Sequence, residues 1–221
     1  AFYPKFCELY ARHDKDGLVD SFHKGSQMVS VVVGSAAIVL IYFVEVFLQL
    51  WTQDIDLAIR LAELLRLLLL GSLIGSLAWI PYQMQLAHGW TSLSVYLNSS
   101  ATIIIAGLML WLVPSFGMLG AAYILLLVGF AYNFLLSFLM FRRIMINEKW
   151  LWITRDVAAP LLSSALSVGF LKVLWTTQET ALEQFLVLSI ATVLALSSSI
   201  LVSRYARQQI FSMVDKLLVK V

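Results

Sequence analysis

Long apolar stretches separated by short polar breaks organise this chain. Six of them stand out, at about 26–50, 57–80, 91–113, 118–141, 157–176 and 183–204. At 1.5 Å of rise per helical residue, each is long enough to cross a hydrocarbon core of roughly 30 Å. The alternating ten-residue segments that a barrel needs are missing. The pattern therefore predicts an all-α, polytopic integral membrane protein with six transmembrane helices. Residues 1–25 are polar and mixed in charge, with Gly17 and Gly25 as breakers. After Arg204 the period changes, and Ile210, Val214, Leu217, Leu218 and Val221 fall on one helical face, with Arg207, Lys216 and Lys220 among the polar positions. This tail reads as an amphipathic helix on the cytoplasmic leaflet, held by apolar burial and anionic lipid. A soluble tail packed on the protein's own loops is the plainer alternative.

The basic residues orient the spans. Lys5, Arg12, Lys15 and Lys24 precede the first, Arg142, Arg143, Lys149 and Arg155 lie in the 141–156 connection, and Arg204, Arg207, Lys216 and Lys220 lie in the tail. The connections around Thr52–Asp56, Pro114–Gly117 and Thr177–Leu182 contain no Lys or Arg. With six spans the basic segments share one side, which the positive-inside rule makes cytoplasmic. The tryptophans fall at or near the predicted span ends, where an amphipathic ring prefers the headgroups. Pro81 and Pro114 read as turn residues, and Pro160 as a first-turn residue of span five.

Composition supports the class. Apolar residues make up 61% of the chain and charged residues 13%, about half the charge of an average soluble domain. The mean hydropathy is +0.88. A net charge of +2 is too small to argue for nucleic acid. The lone Cys7 excludes an intramolecular disulfide and reads as a small buried hydrophobe rather than a reactive thiol. The first residues resemble the end of an element begun upstream, so the sequence is expected to be a fragment.

The unusual chemistry lies on span two. At 100° per residue Arg60, Glu63 and Arg66 share a stripe, with Gly71, Ser72, Gly75 and Ser76 roughly opposite. Small residues at that spacing admit a neighbouring helix, which turns the charged face toward a water-filled lumen. Arg66 lies about 15 Å beyond Asp56, near the bilayer centre. A guanidinium at that depth is expensive and asks for a function. Either Glu63 neutralises both arginines, or Arg66 and Arg60 present their donors to a phosphate. One carboxylate cannot satisfy ten guanidinium donors, which favours the second. Glu45, about 9 Å before Trp51, either snorkels outward or carries a coupling proton. Asn98 lines the lumen or bonds a neighbouring helix. Lys172 reads as an interfacial anchor. His88 has no second ligand at metal spacing, and His13 and His23 read as solvated. No metal site, cofactor motif or catalytic constellation is recognisable, so no enzyme is expected.

Three segments carry a resemblance: Tyr3-Pro4-Lys5-Phe6-Cys7-Glu8-Leu9-Tyr10-Ala11, Ile80-Pro81-Tyr82-Gln83-Met84-Gln85-Leu86-Ala87-His88-Gly89-Trp90-Thr91, and Pro114-Ser115-Phe116-Gly117-Met118-Leu119-Gly120-Ala121-Ala122. In this order they resemble the carboxy-terminal half of a Wzx-type polysaccharide (O-antigen) flippase of the MOP superfamily, which also holds the MATE exporters. The resemblance covers roughly 1–145. It implies a second transporter lobe there, with 146–221 as an additional helix pair and tail. It further implies a cationic cavity, alternating access coupled to H+ or Na+, a lipid-diphosphate-linked oligosaccharide as substrate, a missing amino-terminal lobe as partner, and the bacterial inner membrane as location. The alternatives are a MATE-like drug or cation antiporter, expected to hold carboxylates instead, and a membrane-bound polymerase or glycosyltransferase, which needs a larger outer loop.

Overall fold

The computed structural model describes residues 2–175 and 180–208, and every regular element among them is helical. In order these are α1 (Phe2–Ala11), α2 (Lys15–Val29), a π-helical stretch at Ser30–Gly34, α3 (Ser35–Tyr42), α4 (Val44–Thr52), α5 (Ile55–Leu77), α6 (Trp79–Ala87), α7 (Thr91–Arg143), α8 (Lys149–Leu151), a second π-helical stretch at Trp152–Ala158, α9 (Ala159–Leu174) and α10 (Ala181–Val202). Among the described residues four helices are long and apolar enough to cross a membrane: Lys15–Tyr42, Thr91–Arg143, Lys149–Leu174 and Ala181–Val202. The amphipathic stretch expected after Arg207 lies outside the described residues. So do Glu179 and most of the connection before α10.

Two compact units account for the contacts, one comprising Ala1–Phe22 with Val44–Lys149, the other His23–Phe43 with Trp150–Val221. In the first, α5 packs on α4 and on α7, and α6 packs on α1 and α7. Asp54 starts α5 by accepting from Leu57 N at 3.0 Å, and Asp56 in the first turn suits the positive end of the helix. Ala58 and Ala62 then admit Val44 and Leu48 of α4, with Phe47, Leu61, Leu65 and Leu69 closing the seam.

At 53 residues α7 would be about 80 Å long if straight, far more than a bilayer needs. It is not straight. Gly117 adopts φ 59°, ψ −145°, a conformation that essentially only glycine tolerates. The chain doubles back there, as Arg143 near the end of α7 lies 4.3 Å from the ring of Trp90 just before its start. Pro114 sits inside the helical run, three residues before the reversal rather than in a turn.

The Ile80–Trp90 segment, read above as a turn, is mostly helix α6. A short break at Ala78 precedes it, and Pro81 falls in its first turn, where no N–H is needed. Gln85 is fully buried and donates to Trp90 O at 2.7 Å and Ser94 Oγ at 2.8 Å, tying α6 to the start of α7. Gly89, at φ 71°, makes the turn between them. The 141–156 connection shrinks as well, because α7 runs to Arg143 and helix resumes at Lys149.

In the second unit α3, α9 and α10 pack on one another through small and hydroxylated residues. Ala191, Ala195 and Ser199 of α10 are buried at a four-residue spacing. Ser164 Oγ donates to Ala195 O at 3.0 Å and shares a bond with Ser35 Oγ, and Ser199 Oγ donates to Pro160 O at 3.1 Å. Meanwhile Leu166, Phe170, Phe185 and Val193 are exposed. Small polar residues inside and large apolar residues outside is the arrangement lipid favours, since apolar side chains gain little there by leaving the exterior. The first apolar helix ends at Phe43, with φ −113° and ψ 30°. The predicted span 26–50 is thus divided between α2–α3 and α4. Lys172, expected as an interfacial anchor, donates to Tyr42 O at 2.6 Å and caps that end.

Candidate functional site: the charged face of α5

The alanine seam that docks α5 on α4 also directs its charges. Arg66 lies one turn beyond Ala62, so its side chain leaves the helix at the margin of that seam. Its Nη2 donates to Glu45 Oε1 of α4 at 3.3 Å, with the two side chains 37% and 61% exposed. Glu63 faces the other neighbour and accepts from Tyr123 OH of α7 at 3.1 Å. The sequence suggested Glu63 as the arginines' counter-ion but did not reveal the Glu45–Arg66 pair. Glu45 and Arg66 are 21 residues apart and meet only because α4 and α5 form an antiparallel pair. Arg60 is exposed and makes no ion pair among the described residues.

Gly71 and Gly75 were expected to form a close helix contact. A Cβ on Gly71 would meet only Leu126 of α7, at an ordinary 3.9 Å, and one on Gly75 would meet nothing within 4 Å. Gly75 instead borders a cavity of about 230 Å³ together with Trp79, Tyr82, Asn98, Tyr132 and Asn133. Asn98 is therefore a cavity residue, on the glycine side of α5. Aromatic faces beside amides and phenol hydroxyls suit a ligand that is apolar on one face and hydroxylated on the other. A second cavity, of about 270 Å³, is lined by Tyr10, His13, Lys15, His88 and Glu148 among others. The Tyr10 and His88 rings lie 4.4 Å apart there, and His88 Nδ1 bonds Met84 O at 2.8 Å.

His13 is exposed as expected, but His23 is not. It is 3% exposed and paired with Asp156, because α2 continues as helix into a packed core instead of ending in solvent. Its surroundings hold no Lys or Arg that is buried, and no cluster of three metal-ligating side chains occurs among the described residues. Cys7 is half-buried. Searches of protein-family models, curated proteins and solved structures return no match to this chain.

Proposed function

We propose that this chain is one lobe of a membrane flippase that moves a polyprenyl-diphosphate-linked oligosaccharide across the bacterial inner membrane. The observation that carries the proposal is Arg66: a guanidinium well inside an apolar helix, 37% exposed and paired with Glu45. The pair holds that guanidinium in place with part of its surface within reach of an anion. A diphosphate needs that charge matched before it can enter a low-dielectric core, and Arg60, two turns away on the same helix, would take a second oxygen. The Asn98 cavity would accept a sugar of the same substrate.

The topology is part of the proposal. Counting the two arms of α7 separately and including α5 brings the four apolar helices to six spans. The amino-terminal segment, the 141–156 connection with Arg142, Arg143, Lys149 and Arg155, and the tail would then be cytoplasmic by their basic residues. Another six-span lobe would complete the pathway, and an H+ or Na+ gradient would drive it. The chain performs no covalent chemistry in this reading.

The test is native mass spectrometry of the chain in lipid nanodiscs with a polyprenyl diphosphate, against the corresponding uncharged polyprenol. The diphosphate should bind, Arg66→Ala should weaken it about tenfold or more, as loss of a charge-assisted bond implies, and Arg66→Lys should keep part of the affinity. Equal binding of both lipids would overturn the proposal, and tighter binding of tetraphenylphosphonium that depends on Glu45 and Glu63 would replace the flippase with the cation antiporter.

A further inference from the structure

His23, Gln27 and Ser30 recur at helical spacing and share one buried face of the first apolar helix. Against that face lies Asp156, inside the π-helical stretch Trp152–Ala158. The cause of the distortion is in the sequence: Pro160 has no N–H and its ring crowds the carbonyl four residues back, which is that of Asp156. A wider turn relieves the clash, and such turns often mark functional positions. A second π-helical stretch, Ser30–Gly34, begins one turn after Gln27.

Asp156 is 1% exposed. Its Oδ2 meets His23 Nδ1, and its Oδ1 accepts from Gln27 Nε2 at 2.9 Å, while Gln27 Oε1 accepts from Tyr205 N at 3.0 Å. Trp152 Nε1 donates to Ser26 Oγ alongside. Among the described residues Asp156 is the one buried carboxylate and His23 the one buried basic side chain. The charged groups on the elements that meet here are exposed or half-buried: Asp20 and Lys24, Arg155, and Arg204 and Arg207. Tyr205 is half-buried. Among the described residues Ser30 Oγ and Ser203 Oγ are buried with no hydrogen-bond partner.

We propose that His23 and Asp156 form a binding site for one exchangeable proton, and that this proton controls the contact between α2 and the Trp152–Ala158 stretch. With the proton on the imidazole, the pair is imidazolium and carboxylate, with net charge zero. When it leaves to water, a carboxylate with net charge −1 remains in a dry interior, which is costly without a counter-charge. The site then opens to water, and the unpartnered hydroxyls of Ser30 and Ser203 receive it. This inference does not depend on the transport reading.

The full chain in nanodiscs, with ¹⁵N-labelled histidine and ¹³C-labelled aspartate, tests it directly. The chain has three histidines, so His13→Gln and His88→Gln assign the His23 signals. Between about pH 5 and 9 the His23 ring should pass from imidazolium to imidazole in one step, and the Asp156 carboxyl signal should move in that step. Amide exchange over 23–30 and 152–158, corrected for its intrinsic pH dependence, should rise severalfold on the proton-free side. Asp156→Asn should uncouple the exchange from pH. A His23 ring in one protonation state across the range, or a titration that leaves Asp156 and the exchange unmoved, overturns the proposal. The wild-type titration decides even if the variant does not fold.

Discussion

The Glu45–Arg66 pair offers a measurement that separates a water-lined charged face from a lipid-facing or dry one. At 3.3 Å and the dielectric of water, the Coulomb attraction is about 1.3 kcal/mol. Ordering two long side chains and screening by salt reduce the net value for an exposed pair to about 0.2–1 kcal/mol. In hydrocarbon the outcome differs, because removing Glu45 strands a guanidinium at a cost of about 2.5–3.5 kcal/mol. The perturbation is a double-mutant cycle of Glu45→Gln, Arg66→Gln and the pair, with equilibrium unfolding followed by steric trapping in bicelles. We expect a coupling energy below about 1 kcal/mol that declines further between 0.05 and 1 M salt, as the Debye length falls from above 10 Å to about 3 Å. A coupling above about 2 kcal/mol, insensitive to salt, would refute the reasoning. Arg66 would then be a structural cation, and the carrier of the transport proposal would be gone.

Two further outcomes concern the fold. Gly117→Ala should destabilise the chain by about 1–3 kcal/mol, since its φ of 59° suits glycine. Gly107→Ala, in an open helical position of the same element, should instead be neutral or stabilising by up to about 1 kcal/mol; equal effects in unfolding assays would count against a reversal at Gly117. Ser164→Ala removes the interhelical bonds to Ala195 O and Ser35 Oγ and, at about 0.6 kcal/mol each, should cost about 1.2 kcal/mol. Ser164→Leu also forces a bulky group into the buried contact with Ala195 and Ser35 and should cost about 1–3 kcal/mol more. Similar losses for the two, read by the same unfolding assay, would mean that hydroxyl bonding rather than close approach holds the seam.

Sequence alone determined the helical class and the position of most apolar helices, because burying backbone polar groups in lipid leaves a chain few alternatives to helix. It also located the reversal near Pro114–Gly117 and the charges of α5, since glycine's permissive backbone and a polar side chain in an apolar run are local signals. It misread the Ile80–Trp90 segment, where Pro81 suggested a turn although a first helical turn accommodates proline equally well. What the tertiary structure decided is which distant groups meet. Glu45 finds Arg66 across an antiparallel pair, and His23 finds Asp156 across 133 residues. Nothing in the neighbourhood of either residue announces such a partner, because the energy of a charge depends on what surrounds it in space, and that is set by packing rather than by order along the chain.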